Sequence, residues 1–150
     1  METGTATGVA LECAAGTLIV LDTNIVLDLL VFQDPATQAL RDALASGALA
    51  WIATQPMRDE LERVLDYPQI VKSLRHHGMA KAAVLVHFDQ HATVVGVAAK
   101  APVTCKDPDD QKFIDLAVAH QAQLLSKDHA VLCMAKRLAA LGVVARVTMS

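Results

Sequence analysis

Aromatic side chains are scarce in this 150-residue chain, which has three phenylalanines, one tyrosine and one tryptophan. Alanine, valine and leucine must fill the interior instead, the packing expected where helices cover a parallel sheet. Cysteine is scarce as well. Cys13, Cys105 and Cys133 are odd in number and far apart, with no C-x-x-C pair. That argues against a disulfide framework or a structural zinc site and fits a reducing, cytoplasmic setting. Hydrophobic residues make up 53% of the chain, yet no apolar run is long enough to span a bilayer, so the surplus belongs to a core. A basic excess is also missing, since the formal charge is -3. Nucleic acid cannot be gathered by global charge, and any contact must come from a local patch.

A chain of this length is the size of one ordinary domain. Residues 1–16, METGTATGVALECAAG, have no basic leading segment and carry Glu12 among mildly apolar residues. They make a poor signal peptide and read as a loosely ordered extension ahead of a domain over residues 17–150. Five short apolar runs read as strands: Thr17 to Leu21, Leu49 to Ala53, Thr93 to Val97, Gln123 to Ser126 and Val143 to Thr148. Helical patterns fall between them, at about Asn24 to Val31, Pro35 to Ser46 and Pro56 to Asp66. Two more fill Gln69 to His91 and break at Gly78. The last two span Pro108 to Gln121 and Ala130 to Leu141. Strands alternating with helices imply an α/β domain with a mainly parallel five-stranded sheet.

Four acids fall at the junctions between these runs, where an α/β sheet gathers its strand ends and binds ligands. Asp22 ends LIVLD, and the competing reading is a helix N-cap. Glu60 shares a helical stripe with Met57, Leu61, Val64 and Leu65, a costly place for a charge unless a partner such as Arg58 or Arg63 compensates it. Glu62 points elsewhere. In KDPDDQKFIDLA, Asp107 and Pro108 make a helix start, and a role beside the positive helix terminus suffices for Asp107 and Asp109. Asp110, however, heads a stripe with Ile114, Ala117, Val118 and Gln121. Asp115 lies off that stripe and reads as a solvated surface acid. Asp128 in SKDHAVL repeats the setting of Asp22, again with capping as the plain alternative.

Joint convergence is the stronger reading, and it carries a cost. Two carboxylates about 4 Å apart repel by ~4 kcal/mol at an effective dielectric of roughly 20, against a domain stability of roughly 5 to 15 kcal/mol. Such a group either takes up protons or holds cations, and an oxygen-only set selects hard ions. Lys106, Lys112 and Lys127 neighbour the acids and temper their repulsion or touch a phosphate. Lys72, Arg75, His76, His77 and Lys81 read first as a solvated helical face and second as an RNA-steering patch. His87 and His91 stand at metal-ligand spacing but lack a third ligand, and read as structural. Trp51, inside a strand, reads as core.

In LDTN, RDELERVL, DPDDQKFIDLA and LLSKD the chain resembles the PIN-domain ribonucleases, particularly the single-domain kind that forms the toxin of bacterial toxin–antitoxin pairs. The likeness runs from about Ile19 to Val147. It implies a three-layer α/β/α fold with sheet order 3-2-1-4-5 and an acidic pocket for Mg²⁺ or Mn²⁺. It assigns Asp22, Glu60, Asp110 and Asp128 as the catalytic and metal-binding quartet. Asn24 and Ser126 are implied as supporting polar neighbours, and Asp107 as a further acid that could join. An RNA substrate, an antitoxin protein and a homodimer are the implied partners, with no membrane. The stretch between Glu60 and Asp110 is long for the family, so the substrate-facing surface there is not carried over.

Two rivals stand beside this reading. A phosphatase of the haloacid-dehalogenase kind also has an acid after its first strand, but Asn24 replaces the second acid of its D-x-D. A non-catalytic fold for RNA or protein binding is the other, weakened by the presence of all four acids.

Overall fold

The computed structural model describes residues 17–148, so the extension expected at residues 1–16, and Cys13 within it, lie outside the described residues. Strand β1 (Thr17–Leu21) and helix α1 (Thr23–Leu27) open the fold. A π-helical turn (Asp28–Phe32) and a 3-10 turn (Pro35–Thr37) lead into α2 (Gln38–Ser46). Then come β2 (Leu49–Ala53), α3 (Gln55–Val64), α4 (Pro68–His76), α5 (Lys81–His91) and β3 (Ala92–Val94). A 3-10 turn (Pro108–Asp110) precedes α6 (Gln111–His120), followed by β4 (Gln123–Leu125), α7 (His129–Leu132), α8 (Ala135–Ala140) and β5 (Ala145–Arg146).

The five strands form one all-parallel sheet in the order β3-β2-β1-β4-β5, flanked by helices. This is the expected α/β/α arrangement. β1 lies at its centre because Ile19, Val20 and Leu21 are apolar throughout and can be covered on both faces, where they are at most 2% exposed. Its first half pairs with β2 (Ile19 opposite Trp51) and its second with β4 (Leu21 opposite Leu125). The chain therefore leaves the end of β1 towards one side of the sheet and returns through β4 on the other. That divergence opens a crevice beyond the carboxyl ends of β1 and β4.

Trp51 is core, as read from its strand; its ring meets Phe88 edge-on with centroids 5.0 Å apart. Gly78 ends α4 at φ +64, and the Met79 N–H closes back on the Leu74 carbonyl at 2.9 Å, a left-handed stop that glycine adopts without strain.

The edges of the expected elements differ. The strand expected at Thr93 to Val97 is Ala92–Val94, because β2 ends at Ala53 and Thr54 already caps α3, leaving only Val95 a main-chain partner on Ala53. The last strand shrinks to Ala145–Arg146 for a similar reason, since β4 turns at Ser126 towards α7. The helix expected at Asn24 to Val31 widens into the π-turn and stops at Gln33, whose φ is 49. The final helix divides at Cys133–Met134, where Met134 bonds back only three residues, to Val131. Among the described residues, no helix is long and apolar enough to cross a membrane.

Candidate active site

Asp22 follows directly from the end of β1. Its backbone stays extended, its N–H continues the ladder to the Leu125 carbonyl at 3.1 Å, and its side chain caps α1 by accepting from the Ile25 N–H at 2.9 Å. The capping reading and the site reading are both satisfied by one residue. The other oxygen of Asp22 accepts the Ser126 hydroxyl, and Ser126 in turn accepts the Asp128 N–H at 3.0 Å. This run of hydrogen bonds joins the end of β1 to the loop after β4. Asp22 is 3% and Ser126 1% exposed. Burial raises the Asp22 carboxyl above the ordinary carboxylate range. The Ser126 hydroxyl and the Ile25 and Lys127 N–H groups oppose that rise, while the charge of Asp128 adds to it.

Asp128 caps α7 through the Ala130 N–H at 2.8 Å. Asp110 enters from the 3-10 turn before α6, and Asp107 caps that turn through the Asp109 N–H at 3.0 Å. One oxygen from each of Asp107, Asp110 and Asp128 lies within 4.8 Å of the others. Asp110 is pushed up to about 8, first by burial, then by hydrogen-bond-range contact with Asp128 and by the charges of Asp128, Asp107 and Asp22. Asp128 moves down, chiefly through that contact with Asp110 and then the Ala130 N–H. The two carboxyls therefore titrate as a pair. The buried Oδ2 of Asp110 has no hydrogen-bond partner. A buried, unsatisfied carboxylate oxygen beside two further acids matches the donor chemistry of a hard divalent cation.

Glu60 comes from α3 and lines a cavity of about 240 Å³ whose walls include Asp22, Asn24, Tyr67, Asp110 and Phe113, with Asp110 the member of the trio that reaches it. Its stripe is the expected one: Met57, Leu61 and Leu65 are buried, Glu60 is half-buried and Glu62 is exposed. Its compensation is not Arg58, which forms a two-pronged pair with Asp89 at 2.7 and 2.9 Å. Instead Lys112 lies 2.5 Å from Oε1, and the Thr23 hydroxyl donates to Oε2. Glu60 thus shares a cavity with Asp22 and Asp110 without belonging to the aspartate cluster. Asp107, given a lesser place by the sequence, stands inside it. Asn24 is exposed on the cavity wall, and Ser126 supports Asp22 directly.

Thr23 and Asp28 escaped the sequence reading. Thr23 sits inside LDTN, one residue from Asp22, and adjacency to an acid was its only signal. Asp28 is buried, and the sequence gives no hint that Lys127 would reach it at 2.6 Å. Asp115 is not a solvated acid: it accepts the Ala101 N–H and the Gln111 amide, both at 2.8 Å, and so anchors the segment before α6. His87 and His91 are not packed structural histidines either. Both are exposed, with parallel rings 6.3 Å apart. They border a larger cavity of about 380 Å³ with Leu29, Leu44 and Met79, which holds none of the four acids. Cys105 is buried and Cys133 exposed, both as free thiols.

Carboxylates gathered at the switch point of a parallel sheet make a candidate divalent-metal site on an α/β fold. Residues 18–130 match the PIN domain, and the chain belongs to that family. A comparison with curated proteins gives no match. PIN domains are generally nucleases and typically bind divalent metals, and membership implies RNA binding.

Proposed function

We propose that the protein is an Mg²⁺- or Mn²⁺-dependent endoribonuclease that hydrolyses RNA phosphodiester bonds. The observation that carries this reading is the trio Asp107, Asp110 and Asp128, with oxygens within 4.8 Å of one another and a buried Asp110 oxygen without a partner. These three residues would hold the cation, with Asp22 behind them and Glu60 opposite. When bound, the ion supplies Lewis acidity towards a phosphoryl oxygen and towards water.

The chain's own groups do the positioning. The Ser126 hydroxyl and the Ile25 N–H fix both oxygens of Asp22, so that its carboxyl is held in one orientation. Asp110, pushed up to about 8 in the metal-free fold, would have to give up its proton to hold a cation. Lys112 and Thr23 hold Glu60 on the opposite wall, where it can accept a hydrogen bond from water. A phosphodiester entering between these walls meets Asn24, Tyr67 and Gln69 at the cavity's edge.

Burial speaks against the phosphatase rival, since a nucleophilic carboxylate must be reached by its substrate and Asp22 is only 3% exposed. In biological role, we read the protein as a cytoplasmic toxin with a small antitoxin partner, acting as a homodimer. Copurification of the product of a neighbouring small reading frame would support that role.

The biochemical test is a Mn²⁺ titration of wild type and Asp110→Asn, paired with cleavage of a folded RNA in Mg²⁺, Mn²⁺ and EDTA. Wild type should bind the ion and cut only with metal, and the variant should lose both. Equal binding and equal cutting by the two proteins would reject the assignment. Tight RNA binding without cleavage in either metal would favour the non-catalytic rival.

A further inference from the structure

We propose that Lys112 acts as a built-in counter-cation for Glu60 and thereby restricts the site to one divalent ion, held on the aspartate side. The proposal rests on the metal-centre reading above and extends it to the number of ions.

The charges in the cavity are compensated unevenly. Both oxygens of Glu60 are engaged, one by the Lys112 ammonium at 2.5 Å and the other by the Thr23 hydroxyl. The ammonium is itself held on further sides: it donates to the Asp109 carbonyl at 2.5 Å and lies 4.9 Å from the centre of the Phe113 ring. With the Lys112 side chain 26% and the Glu60 side chain 21% exposed, this pair is partly shielded from water. Among the described residues the ion pairs are Arg58–Asp89, Lys81–Asp66, Lys112–Glu60 and Lys127–Asp28. None of them reaches Asp107, Asp110 or Asp128. The chain thus neutralises Glu60 itself and leaves the three aspartates for an external cation.

Placement in the sequence makes this division geometric. Asp110 and Lys112 are two residues apart at the start of α6, so successive side chains there point to different sides of the cavity. Asp110 goes to the aspartate cluster and Lys112 to Glu60. A second divalent ion on Glu60 would have to displace the ammonium or sit beside it, two like charges in a partly dry cavity. Lys112 is in this sense a positioning residue, acting through Glu60 and through the charge it supplies.

The test counts ions in the full chain without RNA, by calorimetric Mn²⁺ titration and by the electron paramagnetic resonance of the bound ion. Wild type should take up one Mn²⁺. Lys112→Met should take up a second, with affinity within about tenfold of the first and with dipolar broadening of the Mn²⁺ signal; Lys112→Arg should return to one. Glu60→Gln should keep one ion at an affinity within about threefold of wild type, and Lys112→Gln, which removes the charge but keeps a polar side chain, counts the ions should Lys112→Met fail to fold. A Lys112→Met protein that still binds a single ion, or a Glu60→Gln protein that loses its ion, overturns the proposal while leaving the metal centre standing. Wild type that binds no Mn²⁺ overturns the metal centre itself, and this inference with it.

Discussion

Ser126 donates its hydroxyl hydrogen to Asp22 across 104 positions of sequence, and both residues are almost wholly buried. The bond ties the end of β1 to the loop that follows β4. Because the same hydroxyl oxygen accepts the Asp128 N–H, one serine orients two acids.

Replacing Ser126 by alanine should therefore be costly. A buried carboxylate oxygen loses its donor and a main-chain N–H its acceptor, a penalty of ~1–3 kcal/mol. Urea unfolding of the metal-free protein at neutral pH measures it. A change below ~0.3 kcal/mol would mean that water replaces the hydroxyl and that the bond is dispensable.

The aspartate cluster predicts an unusual pH dependence for the metal-free protein. Asp110 binds its proton up to about 8 in the folded chain, against an ordinary value of 3.8. Between those limits the folded state holds more protons than the unfolded state, so stability must fall as pH rises from about 4 to about 8. Asp128, shifted the other way, contributes stability that is lost only as the solution becomes strongly acidic. Thermal melts at pH 6 and 8.5 should show the metal-free protein weaker at the higher pH, and Asp110→Asn should flatten the difference. Saturating Mn²⁺ should reverse it, since cation binding favours the deprotonated acid. A metal-free protein that gains stability steadily over this range would contradict the Asp110 assignment.

Tyr67 is the chain's one tyrosine and is 49% exposed at the wall of the acidic cavity. Stacking of a base on such a ring is worth ~1–3 kcal/mol. Tyr67→Ala should raise KM for RNA with kcat nearly unchanged, whereas Tyr67→Phe should match wild type. A fall in kcat at constant KM would place the ring in the chemistry instead of in substrate binding.

The pair Arg58–Asp89 links α3 to α5 on the surface and serves as a control for these effects. Its geometry is two-pronged, but both groups face solvent, and screening limits its worth to less than ~1 kcal/mol. Arg58→Ala should leave Mn²⁺ binding intact and shift the denaturation midpoint only slightly. Loss of metal binding in this variant would contradict the placing of the ion on Asp107, Asp110 and Asp128, none of which lies on α3.

The sheet was legible from residue types because its central strands need continuous apolar runs. Ile19 to Leu21 and Trp51 to Ala53 carry that need in their composition, whereas the edge strands near Val94 and Arg146 depend on how much neighbour remains to pair with. The acids were legible through position: Asp22 and Asp128 follow strands, and Asp110 opens a helix. Their division of labour was not. Asp115 looked like a surface acid because its off-stripe position is plain from helical periodicity, but its partners, Ala101 and Gln111, come from the segment before α6 and from one turn earlier. Asp107 looked like a cap and is one, yet the 3-10 turn also brings its carboxylate beside Asp110 and Asp128.

By itself, the order of residues determined an alternating strand–helix chain with acids at its junctions, since burial and helix starts are set by near neighbours. Only the tertiary structure decided which acids lie close enough to shift one another, which one receives the Lys112 ammonium and which oxygen is left without a partner. Those outcomes depend on differences of a few ångströms between side chains brought together from distant segments, and at such range charge interactions change by several kcal/mol.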